Sequence, residues 1–289
     1  MIKFLITLIF FPFLVFAGNG GVGKLLSLIP SSKVGTPIYF ANPMEPQIYL
    51  GHNNIQSNTY MPFQGMVPFG IGGKKQLYKK HNYEIGFSTV VHGQLGYREE
   101  NGPSLKGTRV SLLNTDFLLN FYYTQRIKKH WKIKIETFHR STHLGDDLVL
   151  LNGITTSNYW NIDESSYEEL NVLLNRSLLL NTMNLYGSVG YNYRKDSPRE
   201  KWTVNFGGQF DAAIIPVLRR FVLGFDIRWL ENNDWNAAVN KSIGFKLNKK
   251  GSVKLMVHHY SGNIAYSRYE SILTQSYWRF GIYFDSILK

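Results

Sequence analysis

The 289-residue sequence has no cysteine, and no apolar run reaches the ~18 residues that a membrane-spanning helix needs. The first absence excludes disulfides and thiolate zinc sites, and the second excludes a helical membrane protein. Carboxylates are also few: Lys and Arg number 32 and Asp and Glu 20, for a net charge of +12. Because the basic residues are scattered rather than gathered among aromatic residues, we expect no nucleic-acid partner.

The N-terminus predicts export. One positive charge, Lys3, precedes an apolar run over residues 4–16 that ends in Val15-Phe16-Ala17. This pattern is typical of a secretory signal peptide over residues 1–17, and the run is too short for a transmembrane helix. We expect residues 18–45 to be a periplasmic lead-in and residues 46–289 to form one domain.

That domain has about twelve strand candidates, most with clear alternation of apolar and polar residues. They cover residues 46–53, 65–74, 83–97, 109–125, 131–143, 167–176, 182–194, 201–212, 220–230, 235–247, 252–261 and 276–285.

The fifth segment shows the pattern best. Trp131, Ile133 and Ile135 share one face, and Lys132, Lys134 and Glu136 share the other. A globular sandwich would bury the apolar face. Strands of about ten residues or more, aromatic residues near both strand ends and the export signal instead favour apolar residues facing lipid. We predict an all-β fold: a transmembrane antiparallel up-and-down β-barrel of about 12 strands in a Gram-negative outer membrane.

The connections separate by charge. Alternate turns are basic, as at Lys79-Lys80 and Arg219-Arg220, and the others are acidic, as at Glu99-Glu100. The longest connections fall in the acidic set, as expected for outer loops, so we expect both termini to be periplasmic. The expected partners are outer-membrane lipids, lipopolysaccharide and the barrel assembly machinery.

The polar faces would line the lumen, with charges of both signs that can neutralise one another. We expect a plugged ionic network rather than a wide pore. Its candidate residues are Asp116, Lys134, Glu136, Asp211, Asp226, Arg228 and Arg279, with Lys132, Asn171, Lys246 and Lys254 on the same faces.

One pair of residues could carry chemistry. His139 and Ser141 share a strand face with Cα atoms roughly 6.5–7 Å apart, so an imidazole could activate the serine. Glu168 is our candidate to orient the imidazole, and Asp146, Asp147 or Asn161 are alternatives. The same spacing recurs at His259 and Ser261, which favours a structural interpretation: polar residues are common where strands meet headgroups.

Metal binding has weaker support. His139 and His143 lie roughly 13 Å apart on a regular strand, too far to share one ion. Asp146, Asp147, Asp163 and Glu164 could hold Ca²⁺ at the outer loops, or could simply form a solvated acidic surface. We expect no metal centre and no cofactor, with Ca²⁺ at these loops as the alternative.

The His-x-Ser pair resembles those of outer-membrane phospholipase A, where an Asn completes the site, and of lipid A deacylases, where a Glu does. In both groups the serine is followed by Asn, whereas Thr142 follows Ser141. The resemblance implies acyl hydrolysis by His139, Ser141 and Glu168.

A broader resemblance covers most of the N-terminal two-thirds of the mature chain. Residues 140–147, RSTHLGDD, look like the Ser-Ser-His-Leu-Gly-Asp-Glu motif of an uncharacterised outer-membrane family, a domain of unknown function. His143, Gly145 and Asp146 match that motif. Residues 114–116, 40–46 and 166–168 resemble its Asn-Thr-Asp, Ala-Asp-Pro-x-x-Pro and Ser-x-Glu segments. This resemblance implies an outer-membrane protein and no particular activity.

The sequence therefore predicts an integral outer-membrane barrel with a structural, binding or narrow-passage role. The alternative is an acyl hydrolase of outer-leaflet lipid. There Ser141 would attack the ester and His139 would take its proton.

Overall fold

The computed structural model describes most of the domain and the eleven residues before its first strand. The described residues are 37–58, 65–102, 105–145, 166–195, 201–212, 215, 219–231, 234–248, 251–263 and 274–284.

All twelve predicted strands are present, and most run a few residues beyond the predicted bounds. They are β1 Ile48–Asn58, β2 Gly65–Lys79, β3 Tyr83–Gly102, β4 Leu105–Lys128, β5 Trp131–Leu144, β6 Tyr167–Leu178, β7 Met183–Lys195, β8 Trp202–Asp211, β9 Phe221–Leu230, β10 Ala237–Lys246, β11 Val253–Asn263 and β12 Thr274–Phe284.

The strands form one closed antiparallel barrel in sequence order. β1 pairs with β12 from Ile48 opposite Phe284 to Asn58 opposite Gln275, which closes the sheet and leaves no open edge. The up-and-down topology is thus confirmed. Within the described residues, no helix has the length and apolar character needed to cross a membrane.

The two ends of the barrel differ. At one end, which we call the terminal end, β1 begins, β12 ends and short turns such as residues 80–82 and 129–130 connect the strands. At the other, which we call the loop end, the connections include the long stretches 145–166 and 264–273.

Side chains alternate between the outer wall and the lumen as predicted. On β4, Phe117, Leu119 and Phe121 are 44%, 43% and 53% exposed, whereas the intervening Leu118 and Asn120 are buried. Apolar side chains on the outer wall and polar ones within are typical of a membrane barrel.

Two residues depart from the alternation, which places Leu113 on the outward face with Phe117 and Ala212 on the outward face with Phe206. Leu113 is buried rather than outward, because the register shifts by one residue where Gln94 pairs with Asn114 and Leu95 with Leu112. Such a bulge adds a residue to one strand and turns its side chain to the other face. Ala212 follows the end of β8 and is also buried.

The predicted lumen charges face inward and pair with opposite charges or hydrogen-bonding groups. Lys134 lies 2.6 Å from Glu136, Asp116 lies 2.7 Å from Arg140, and all four residues are buried. Arg279 donates to Asn53, and Asp226 accepts a hydrogen bond from Tyr186. Asp211 contacts Lys246 near the terminal end, where its side chain is 40% exposed.

The lumen also contains a stretch of chain that precedes β1. Residues 38–47, which we call the plug segment, are mostly buried between the barrel walls, with Tyr39 at 0% and Ala41 at 1% exposure. The lead-in predicted over residues 18–45 meets the structure only at its end, and residues 37–45 lie inside the barrel instead of below it.

Candidate functional site

A polar patch interrupts the apolar outer wall near the loop end. On β5 the outward positions His139, Ser141 and His143 fall within the last six residues of the strand. Glu168, on the neighbouring β6, lies directly opposite His139. We call these four residues the rim patch.

Ser141 is hydrogen-bonded to His143. The distance from Ser141 Oγ to His143 Nε2 is 3.0 Å, so with the proton on Nδ1 the hydroxyl donates to the ring. The Phe117 ring meets the imidazole edge-on, with centroids 5.7 Å apart. This contact on the neighbouring strand restricts the orientation of the ring.

His139 has a different partner. Its Nδ1 atom lies 3.9 Å from Glu168 Oε1, and the same carboxylate oxygen lies 3.8 Å from Arg194. The structure thus brings the predicted residues His139 and Glu168 together, but it pairs Ser141 with the histidine on its other side. Both histidines are two residues from Ser141 on the same face, so strand spacing alone does not distinguish them.

Two of the segments that resemble family motifs form this part of the wall. Residues 114–116 of β4 pair with residues 142–144 of β5, so the two motifs are neighbours. Inside the wall, the buried Asp116–Arg140 pair joins the same strands. The Gly145 N–H donates to Leu113 O at 2.9 Å and fixes the end of β5 beside His143.

A close approach of two backbone segments requires glycine at position 145. A Cβ atom at this position would lie 1.7 Å from the carbonyl oxygen of Leu112, a backbone atom that cannot turn aside. The motif glycine therefore allows the chain leaving β5 to pass close to β4.

The second His-x-Ser pair is arranged differently. The His259 ring packs on Trp278 with centroids 4.7 Å apart, and within the described residues His259 and Ser261 form no hydrogen bond with each other. An imidazole stacked on an indole is an ordinary arrangement for the headgroup region. The two pairs share their spacing but not their geometry.

The other candidates fall outside the patch or outside the described chain. Asp146, Asp147, Asn161, Asp163 and Glu164 belong to residues that the structure does not describe. Among the residues that it does describe, no cluster of three or more His, Asp or Glu side chains could hold a metal ion.

Sequence reasoning missed two features. His143 was assigned to a motif but not to Ser141, although Ser-x-His has the same strand spacing as His-x-Ser. The plug segment was missed because its contacts, such as Asn240 with Ala41, join residues 199 positions apart, which no local pattern records.

The barrel is similar to solved outer-membrane proteins. The calcium-bound dimer of the outer membrane phospholipase of Salmonella typhi is 14% identical, with a TM-score of 0.58 over 84% of this chain and 92% of that one. Outer membrane phospholipase A of Escherichia coli is 12% identical, with a TM-score of 0.58 over 84% and 97%. At such identities the likeness shows the fold alone: that of an outer-membrane β-barrel.

Comparison with the curated proteins gives no match. A family model does match: DUF1207, described as a protein of unknown function, covers residues 80–272, from the start of β3 to the connection before β12. Because this match spans well over half of the sequence, the chain belongs to the DUF1207 family.

Proposed function

We propose that the protein is an outer-membrane acyl hydrolase in which Ser141 attacks an ester of a membrane lipid. The observation that carries the proposal is the 3.0 Å hydrogen bond between Ser141 Oγ and His143 Nε2 on the outward wall. A serine hydroxyl is a weak nucleophile until a base takes its proton, and this contact supplies the base.

The chemistry follows from that geometry. As Ser141 Oγ bonds to the ester carbonyl carbon, its proton passes to His143 Nε2. The protonated imidazole then gives this proton to the leaving alcohol as the ester bond breaks and an acyl-serine forms. Water, activated by the same imidazole, releases the fatty acid and restores the hydroxyl.

The surroundings also support lipid as the substrate. The rim patch lies on the outer wall beside exposed apolar side chains such as Phe117 and Leu119, so an acyl chain in the bilayer can reach it laterally. The similar solved barrels carry the name phospholipase. We assign the loop end to the cell surface and the terminal end to the periplasm, since long loops at the outer side are the rule in such barrels.

The polar and charged groups of the rim patch and its neighbour Arg194 also support a lipid substrate. A charged side chain on a lipid-facing wall costs from about 0–1 kcal/mol near the interface to about 2–4 kcal/mol at the midplane. Here the Glu168 carboxylate lies between His139 Nδ1, at 3.9 Å, and Arg194, at 3.8 Å. Such a group is expected at a site that acts on headgroups.

Acyl release by the refolded protein in vesicles of phospholipid and lipid A tests the proposal. We expect Ser141→Ala to abolish release and His143→Ala to lower it by about 10²–10⁴-fold, the usual contribution of a general base. His139→Ala should lower it less, because that ring does not contact the hydroxyl.

Ser261→Ala is the matched control, since it removes a rim serine that has no histidine partner. Release that survives Ser141→Ala, or that falls equally with Ser261→Ala, would contradict the proposal.

A non-catalytic barrel is the second candidate, and the His259–Trp278 stack favours it. In that case polar rim residues only anchor the wall among headgroups. A folded, heat-modifiable wild-type protein that releases no acyl chains would support this candidate.

A further inference from the structure

We propose that the lumen is a passage for ions and small hydrophilic solutes, which the plug segment closes and can leave open. This function is separate from the chemistry of the rim patch and does not depend on Ser141. The inference rests on how the plug segment is held and on what it leaves unsatisfied in the surrounding wall.

Among the described residues, the polar contacts that anchor the plug segment include a hydrogen bond from Asn175 Nδ2 on β6 to the Tyr39 hydroxyl. Glu45 forms an ion pair of 2.8 Å with Lys74 on β2. Asn240 Nδ2 donates to Ala41 O at 2.6 Å, and Phe40 N–H donates to Gln209 Oε1 at 3.2 Å. A single hydrogen bond or ion pair of this kind adds only modestly to stability, so each of these anchors can be released by a local movement.

The other contacts are with aromatic and cationic side chains. Tyr39 lies against Tyr186 with centroids 4.0 Å apart, and Lys254 Nζ lies 4.3 Å from the centre of the Phe40 ring. These contacts hold the first half of the plug segment against β7 and β11. The second half returns to the start of β1, where Gln47 donates to the carbonyl oxygens of Tyr39 and Asn42.

The wall around the plug segment has more buried polar groups than the plug segment pairs through hydrogen bonds. Buried atoms of six wall residues have no hydrogen-bond partner among the described protein atoms. They are Asn120 Oδ1, Asn171 Oδ1, Asn205 Oδ1, Asn240 Oδ1, Ser242 Oγ and both ring nitrogens of His258.

Leaving such groups without a hydrogen bond is unfavourable, and native proteins almost always pair them or hydrate them. Polar groups of this kind along the wall can form hydrogen bonds with water in the lumen. A permanent core would instead have complementary groups on the plug segment.

A small cavity lies beside the plug segment and continues the same polar surface. Asn42 and Glu45 line it from the plug segment, and Lys134, Asn171, Asn205 and Arg228 are among the residues that line it from the wall. The cavity thus adjoins the acidic side chain of the plug segment and one of its two amide side chains. Movement of residues 42–45 would therefore enlarge an existing polar space.

The absence of cysteine from the sequence permits a direct test with the full chain. A Cβ atom at Gly224 would lie 3.4 Å from the Cβ atom of Ala41, close to the 3.5–4.5 Å typical of disulfides. The same Cβ would be 2.7 Å from Ser242 Oγ, a hydroxyl that can rotate away. The Ala41→Cys/Gly224→Cys variant should thus lock the plug segment to β9.

Ionic current through single proteins in planar bilayers is the readout. We expect brief openings of the wild type and of the reduced double-cysteine variant, and none from the oxidised variant. Reductant should restore the openings. Current through the oxidised variant equal to that through the reduced one would overturn the proposal.

A second variant tests the closing contact itself. Glu45→Gln removes the ion pair with Lys74 and should raise the open fraction severalfold. Lys75→Gln is the matched control, because Lys75 pairs with Phe87 on the outward side of the same strand. If neither the wild type nor Glu45→Gln conducts as a folded barrel, the proposal is wrong.

Discussion

At the scale of single residues, the same strand alternation places charge in two different settings. Lys134 and Glu136 face the lumen and are buried as a pair, whereas His139 faces outward, 46% exposed, beside Glu168. The inward charges stabilise the barrel through mutual pairing. The outward groups lie on the outer wall, where the proposed hydrolysis would take place.

The Asp116–Arg140 pair is the most enclosed of these ion pairs, with side chains 0% and 1% exposed. Asp116→Ala would leave the guanidinium buried without its carboxylate, which costs about 3–5 kcal/mol in such pairs. We expect a matching loss in the free energy of unfolding, measured by urea titration in vesicles with tryptophan fluorescence as the signal. Asp116→Leu/Arg140→Met should recover most of it; a single variant as stable as wild type would contradict this role.

Glu45 should make the plug segment sensitive to acid. Burial alone would raise its pKa, but Lys74 and Lys134 outweigh burial and hold the pKa of the carboxyl below its ordinary value. The stabilisation is therefore fully present above about pH 4.3, the ordinary pKa of glutamate, and is lost as the pH falls through the lower folded value.

Conductance recorded between pH 7 and pH 3 tests the direction of this pH dependence. The open fraction should stay constant down to about pH 4.3 and rise below it. The open fraction of Glu45→Gln should already be high at pH 7 and should change little as the pH falls. An equal rise in both proteins would assign the acid response to other groups.

At the scale of elements, the β4–β5 hairpin organises the rim patch. Its strands are joined inside by the Asp116–Arg140 pair and outside by the contact of Phe117 with His143. At the open end of the hairpin, which is the loop end of the barrel, the Gly145 N–H donates to Leu113 O and joins the two chains. The position of His143 depends on all three contacts.

Gly145→Ala tests this dependence. The added methyl group would collide with Leu112 O at 1.7 Å, so the end of β5 must shift and carry His143 away from Ser141. We expect acyl release to fall by at least about tenfold, the equivalent of about 1.4 kcal/mol of transition-state stabilisation. Gly187→Ala is the control, because its Cβ would meet only Asn205 O at an unstrained 3.8 Å.

The strands were predicted from the sequence more accurately than the contacts between side chains. Period-two alternation located all twelve strands, because each residue of a membrane barrel faces either lipid or lumen. It failed at Leu113, where a bulge reverses the faces, and it assigned Ser141 to His139, whereas the structure pairs Ser141 with His143. Side-chain rotation decides which histidine contacts Ser141, and strand periodicity carries no information on it.

At the scale of the whole molecule, closure of the barrel creates two separate environments. The outer wall exposes the Ser141–His143 pair near the loop end. The lumen contains the plug segment, whose contacts reach β2, β7, β8, β10 and β11. These contacts join residues far apart in the sequence. The charges therefore predicted a plugged lumen, but no local pattern identified the segment that fills it.

The central claim is that Ser141 is a nucleophile, and covalent capture tests it most directly. The refolded protein would be treated in vesicles with a lipid-like fluorophosphonate, which bonds to serines activated by a base, and the labelled peptide identified by mass spectrometry. We expect one label on Ser141, absent from His143→Ala and unaffected in Ser261→Ala. No label on Ser141, or equal labelling of Ser141 and Ser261, would contradict it.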